Sequence, residues 1–220
     1  MMVQPPDQSA TVHPDLRPTA GAQSGPLQRA LGIADPEILR RLLACPAART
    51  RLDVHLDRQF GPLPDLTGPD GRMVWSFYQL GPDGLHQLSR ILAVLINHAA
   101  VRATTKGDVL ASAVAFCDAP DVIKAVRRAD LPPIPSVPVM RVLQTDLLDQ
   151  TAGRIFAHLL AMMPPPLLAR LALRQKDGAL LRPDTLPGGA DTKAALHGYA
   201  RIALALLPRP EDADATAKDT

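Results

Sequence analysis

The sequence has few glutamates, cysteines and aromatic residues. Its 220 residues include two Glu, two Cys and seven aromatic side chains. Cys45 and Cys117 stand far apart, with no CxxC pair and no His nearby in sequence, so we expect neither a disulfide framework nor a zinc site. Reduced thiols of a cytosolic protein fit this pattern best. The scarcity of Glu also leaves few carboxylates for general acid catalysis.

Long apolar runs and a strong net charge are missing as well. The longest apolar runs, "ILAVLI" and "VLASAVAFC", fall well short of the roughly 18 residues that a membrane span needs. The N-terminus lacks the basic and apolar regions of a secretory signal. A net charge of +2 gives no broad field to hold nucleic acid or an anionic bilayer. We therefore expect no nucleic-acid partner and no direct insertion into a membrane.

The common motifs of nucleotide, metal and nucleophile chemistry are absent from the sequence. It contains no GxxxxGK[ST], GxGxxG or GxSxG, and no two His stand three or four residues apart as paired metal ligands would. His98 ends an apolar stretch and is expected to be a helix-terminal, half-buried structural residue. Asp146 and Asp149 could pair as acid and base, although a solvated helix start is favoured. We expect no catalytic, cofactor-binding or metal-binding residues, which favours an interaction protein over an enzyme.

Proline, by contrast, is abundant, with 23 residues against a usual share of about 5%. Residues 1–25 and 208–220 combine Pro with small and polar residues and have few large apolar groups, so both are predicted to be disordered. The intervening residues 26–207 are predicted to form one compact helical domain. The Pro-rich residues 130–139 mark an internal break. The fold class is therefore predicted to be all-α.

Helix signals are frequent in this middle region. Asp35-Pro36-Glu37 has the composition of a helix start, with Asp as N-cap and Pro at the first helical position. Cys45-Pro46 is expected to end or kink that helix, because Pro has no amide hydrogen to donate. Apolar residues at helical spacing predict a single core, and its expected members are Leu88, Ile91, Leu92, Leu95, Ile155 and Leu159.

Residues 61–84 differ in character. "GPDG" occurs twice and is interpreted as two turns, and "RMVWSFYQL" between them is interpreted as a short strand or an extended arm. In an extended arm, Trp75 and Phe77 would share one face and Tyr78 would take the other. Core packing is the favoured role for these aromatics, and a partner-binding surface is the alternative.

Basic residues form the second candidate surface. Lys124, Arg127 and Arg128 stand near the end of a predicted helix, where cations complement the helix dipole. An interface role is the alternative. Together with Trp75, Phe77 and Tyr78 they are the predicted partner-binding residues.

Three stretches carry a pattern that is seen in a known family. They are "LLACPAARTRLDVHL", then "LSRILAVLINHAAVR" with "KGDVLASAVAFCDAPDVIKAVRR", then "AGRIFAHLLAMMPPPLLARLALR". In this order they resemble the K component of bacterial type III secretion systems, the YscK/SctK family of sorting-platform proteins. The first resembles the family's Cys-Pro-Ala-Ala helix, and the second its central Leu-rich helix with two shorter helices. The third resembles an apolar helix followed by a Met-x-Pro step. The final "LHGYARIALALLP" also fits the family's C-terminal helix.

The resemblance covers about residues 42–208 and implies a function without catalysis. The family's K protein is a cytoplasmic adaptor, recruited to the inner membrane beneath the injectisome. It links the cytoplasmic domain of the inner-membrane ring protein to pods built from the Q protein. The resemblance assigns no single-residue roles. A helical regulatory or chaperone-like module unrelated to secretion, and an enzyme with an unrecognised site, remain the alternatives.

Overall fold

The computed structural model describes residues 16–128, 140–175 and 190–207 of the chain. These residues form helices joined by short connections and contain no β-strand, which confirms the predicted all-α class. The helices in chain order are α1 (Ser24–Leu31), α2 (Pro36–Ala44), α3 (Pro46–Phe60), α4 (Pro69–Ile96), α5 (His98–Ala103), α6 (Gly107–Cys117), α7 (Val122–Arg128), α8 (Thr145–Ala161), α9 (Pro165–Ala172) and α10 (Ala190–Leu206).

The described chain divides into two compact units, whereas the sequence predicts one domain around one core. The first unit holds residues 16–62 and 173–175, and the second holds the remainder. In the first unit, α1, α2 and α3 enclose a small cluster of Leu27, Leu39, Leu56 and Leu173. The Gln23 amide donates to the Leu173 carbonyl oxygen at 2.7 Å, so a later segment of the chain completes this core.

Local signals explain the helix boundaries of the first unit. The Asp35 carboxylate accepts a hydrogen bond from the Glu37 amide at 2.8 Å, and Pro36 occupies the first turn, as the sequence predicts. Cys45 separates α2 from α3, and Pro46 begins α3, because a Pro at the first helical position loses no intrahelical hydrogen bond.

The second unit is built around α4, whose last residues, 91–96, are buried on every side. All residues from 91 to 97 are buried, and α8 and α10 form the most extensive contacts with this helix. The predicted core residues Leu88, Ile91, Leu92, Leu95, Ile155 and Leu159 are each at most 2% exposed. Their placement is confirmed, within the second unit only.

The predicted extended arm is wrong, because residues 72–80 lie inside α4. Both "GPDG" stretches start helical segments. Gly68 is the N-cap of α4 and Pro69 occupies its first turn, while Gly81, at φ 67°, interrupts the helix before Pro82. Proline suits the first turn of a helix, and glycine alone adopts a positive φ at little cost. The same four residues therefore act as a helix start in both places.

The predicted disorder of residues 1–25 is wrong for residues 16–25. The Thr19 amide donates to Asp53 Oδ1 at 2.9 Å, and Arg49 Nε donates to Thr19 Oγ1 at 3.0 Å. Thr19 and Asp53 are both buried, so this segment is fixed on α3 before α1 begins at Ser24. Residues 1–15, the predicted break at 130–139 and the predicted tail 208–220 lie outside the described residues.

Candidate interaction surfaces

The C-terminal end of α7 presents the three basic residues that the sequence singles out. Lys124, Arg127 and Arg128 are exposed, and the two arginines occupy the last turn of the helix. Lys124 Nζ lies 3.8 Å from Asp121 Oδ1. Within the described part of the chain, neither Arg127 nor Arg128 forms a hydrogen bond or an ion pair. The helix dipole accounts for their position, and both side chains are exposed.

Arg102 of α5 holds this end of α7 in place. Its Nε and Nη2 atoms donate to the Val126 carbonyl oxygen at 2.9 Å and 2.8 Å. This carbonyl belongs to the last turn of α7, which has no further helical amides to satisfy it. A guanidinium with two donors on one acceptor orients the helix end firmly. Arg127 and Arg128 therefore extend from a helix end that is fixed to its neighbour.

Core packing, the role that the sequence favours for the aromatics, is confirmed for Phe77 and Tyr78, and the alternative of a partner-binding surface is wrong for these two residues. Phe77 is 0% and Tyr78 is 1% exposed, so both side chains belong to the core of the second unit. Trp75 remains partly exposed and stacks on Tyr78 with ring centroids 5.5 Å apart. The helical course of α4 causes the difference, since it places consecutive residues about 100° apart and not on alternating faces. Trp75 alone keeps a candidate role at the surface.

An open cleft of about 520 Å³ lies where α4, α6 and α8 meet. Asp146 and Asp149 line it from the first turns of α8, and Arg90 lines it from α4, with its Cζ atom 5.5 Å from the centroid of the Phe116 ring. Both aspartates are exposed, in agreement with the solvated helix start that the sequence favours. The carboxylates of Asp146 and Asp149 lie on α8 and the guanidinium of Arg90 lies on α4, and all three residues are exposed to solvent.

His98 lies where the sequence places it, at the first position of α5 and half-buried. Its Nδ1 atom is 3.4 Å from the Tyr199 hydroxyl oxygen of α10. Burial raises the pKa of Tyr199 to about 12, with the nearby Arg102 charge acting in the opposite direction. The phenol therefore stays neutral near pH 7, and the contact joins α5 to α10.

A second basic surface, on α3, is one that the sequence prediction missed. Arg51, Val54 and Arg58 are all exposed, Val54 to 46%. Their spacing of three and four residues places them on one face of the helix, opposite the buried Leu56. Within the described residues, Arg51 and Arg58 form no hydrogen bond or ion pair. The sequence signal that could have indicated this surface is the spacing of Arg51, Val54 and Arg58, which puts one apolar residue on a polar helix face.

Among the described residues, no group of three or more His, Cys, Asp or Glu side chains is arranged to hold a metal ion. No described helix is both long enough and apolar enough to cross a membrane. No family model, curated protein or solved structure matches the chain.

Proposed function

We propose that this chain is a non-catalytic adaptor of a type III secretion sorting platform. It binds the cytoplasmic domain of the inner-membrane ring protein and also the Q-type pod protein. In this role it is cytoplasmic, is recruited to the inner membrane by the ring protein, and uses no cofactor.

The exposed arginines at the end of α7, which form no hydrogen bond or ion pair within the described residues, are the observation that carries the proposal. Arginine is among the residues that most often dominate the energy of an interface. Arg127 and Arg128 are unpaired in the described part of the chain, and their helix end is anchored through Val126. A backbone segment that is held in place before binding loses less conformational entropy on association. This geometry suits a permanent docking surface.

Two further features support the proposal. The stretches that resemble the K family fall on helices: residues 42–56 on α2 and α3, residues 88–128 on α4 to α7, and residues 152–174 largely on α8 and α9. The chain also forms two compact units. A bridging protein has to hold two partners at once, and each unit can offer a surface of its own.

Co-purification tests this proposal directly. The full chain is mixed with the Q-type protein and, separately, with the ring protein's cytoplasmic domain, both from the genome that encodes it. We expect both to bind, and we expect Arg127→Glu with Arg128→Glu to weaken binding of one partner by about tenfold or more. Arg141→Glu with Arg154→Glu is the matched control, since these arginines are also exposed and the charge change is identical.

The control separates a local contact from a general charge effect. Equal losses in both variants would show that net charge alone governs binding. Full binding of both partners by the α7 variant would remove this surface from the proposal. Failure of the parent chain to bind either partner would contradict the adaptor function itself.

A further inference from the structure

We propose that the exposed face of α3 binds a helix of a partner protein, in which two carboxylates one heptad apart flank an apolar side chain. The face consists of Arg51, Val54 and Arg58 and is called the α3 face below. It lies in the first unit, whereas α7 belongs to the second. The inference therefore stands on its own observations and does not need the adaptor function.

Geometry is the first argument for the α3 face. Arg51 and Arg58 stand seven residues apart, which corresponds to about 10 Å along a helix, and Val54 lies between them. The valine is 46% exposed although the same helix buries Leu56 completely. Residues at i, i+3 and i+7 form a single stripe along about two turns of the helix, and a second helix packed alongside would contact all three of them.

Charge is the second argument. The described part of the first unit contains eight arginines and four acidic residues. Some of these charges are used internally: Glu37 forms ion pairs with Arg40 and Arg41. Arg51 and Arg58 remain unpaired in the described residues. The complementary partner surface is therefore acidic, with carboxylates that match the planar donor groups of arginine.

The apolar residue decides between classes of partner. A phosphate backbone or a lipid headgroup would be contacted by the arginines alone, and both kinds of surface favour a wider basic patch. Val54 at the centre of the stripe gains from burial against another apolar side chain. A second observation agrees: on the helix wheel Ala47 falls on the same side, and it is also exposed. A small residue there leaves room for a second helix along the stripe.

A model peptide tests the inference without knowledge of the natural partner. The probe is a capped alanine- and leucine-based peptide of about 20 residues, long enough to be helical in water, with two Glu one heptad apart on either side of a Leu. A peptide with Gln in place of both Glu is its control. Amide chemical shifts of the full chain report where the probe binds, and titration gives the affinity.

We expect the Glu peptide to shift the α3 amides and the Gln peptide to bind at least about tenfold more weakly. Arg51→Glu with Arg58→Glu should abolish the α3 shifts, while the charge-matched Arg141→Glu with Arg154→Glu leaves them unchanged. Val54→Thr, which keeps the branched shape, should weaken binding several-fold. A higher salt concentration should weaken the binding of the Glu peptide, because salt screens exposed ion pairs. Thermal melts of each variant show that the fold is intact.

Four results would overturn the inference. They are an absence of α3 shifts with the Glu peptide, equal affinity of the Glu and Gln peptides, an equal loss of peptide binding in both double variants, and full peptide binding by Val54→Thr.

Vesicles of phosphatidylcholine and phosphatidylserine are tested in parallel. Vesicle binding that needs Arg51 and Arg58 while the peptide does not bind would assign the face to a membrane surface. A dimer of the parent chain that the Arg51→Glu, Arg58→Glu variant dissociates would assign it to a second copy.

Discussion

At the residue scale, burial decides the effect of most substitutions. Leu95 is fully buried in α4, whereas Leu147 of α8 is 39% exposed. Leu95→Ala removes buried methyl groups and leaves a cavity, so we expect it to lower the free energy of unfolding by about 2–5 kcal/mol. Leu147→Ala should change it by less than about 0.5 kcal/mol. Urea denaturation measures both, and a similar small loss for the two variants would show that the core is misplaced.

The two cysteines differ sharply in their surroundings. Cys45 is exposed and Cys117 is buried, and burial raises the pKa of the Cys117 thiol from 9.0 to about 11. The thiolate is the reactive form, so near pH 8 a thiol reagent should label Cys45 rapidly and Cys117 only after unfolding. Rapid labelling of both thiols in the folded protein would contradict this arrangement.

The raised pKa of Cys117 makes the stability of the fold depend on pH. Folding favours the neutral Cys117 thiol, so its contribution is fully present below pH 9 and is lost as the pH rises through about 11. Cys117→Ala should reduce the loss of stability over this range. Tyr199, with its pKa raised to about 12, extends the decline to higher pH. Melting curves between pH 8 and 11 measure the effect, and identical slopes for parent and variant would exclude it.

Asp53 supports a contact that the sequence does not reveal. Its Oδ1 atom accepts a hydrogen bond from the Thr19 amide, while its buried Oδ2 atom has no hydrogen-bond partner among the residues that the structure describes. Asp53→Ala leaves the Thr19 amide without its acceptor, which should cost about 1–3 kcal/mol. Asp53→Asn can keep that acceptor and should cost less. Equal losses in the two variants, measured by urea denaturation, would show that this hydrogen bond contributes little.

At the scale of the elements, Gly71 of α4 and Gly153 of α8 differ in the space around them. A Cβ atom on Gly71 would stand 2.6 Å from the backbone of Leu66, whereas a Cβ atom on Gly153 would meet nothing within 4 Å. Gly71→Ala should therefore destabilise the protein. Gly153→Ala, at an exposed helical site, should raise the free energy of unfolding by about 0.5–1 kcal/mol. A stabilising Gly71→Ala would contradict the close approach before α4.

The sequence predicts the elements well where a single local rule decides the outcome. The start at Asp35, the junction at Cys45-Pro46 and the core stripe of α4 follow from capping, proline chemistry and periodicity. The segment around Trp75 was misassigned because "GPDG" suits both a turn and a helix start. Only burial of Phe77 and Tyr78 against the neighbouring helices decides between them, and this is tertiary information. The order of residues 16–25 was missed for the same reason, since Asp53 lies far away in sequence.

At the scale of the whole molecule, the N-terminal limit of the first unit can be tested by truncation. A chain that starts at residue 16 keeps Thr19 and its hydrogen bonds to Asp53 and Arg49. A chain that starts at residue 24 loses them and the Gln23 contact to Leu173. The shorter chain should therefore melt at a lower temperature than the longer one. Equal melting temperatures would mean that residues 16–23 add nothing to the fold.

The division into two units could not be predicted from the sequence, because Leu173 returns to the first core from a distant part of the chain. The candidate surfaces were predicted only in part. The basic end of α7 followed from a charge cluster at a helix terminus, but the α3 face depends on which arginines remain unpaired. That property is fixed by side-chain neighbours and not by spacing.

The adaptor proposal requires that both partners bind the same molecule at the same time. The most direct measurement mixes the full chain with the Q-type pod protein and the ring protein's cytoplasmic domain, and determines the mass of the complex by light scattering after size exclusion. We predict one species that contains all three proteins, which the Arg127→Glu, Arg128→Glu variant forms poorly and the Arg141→Glu, Arg154→Glu control forms fully. Binding of neither partner, or displacement of one partner by the other, would contradict the proposal.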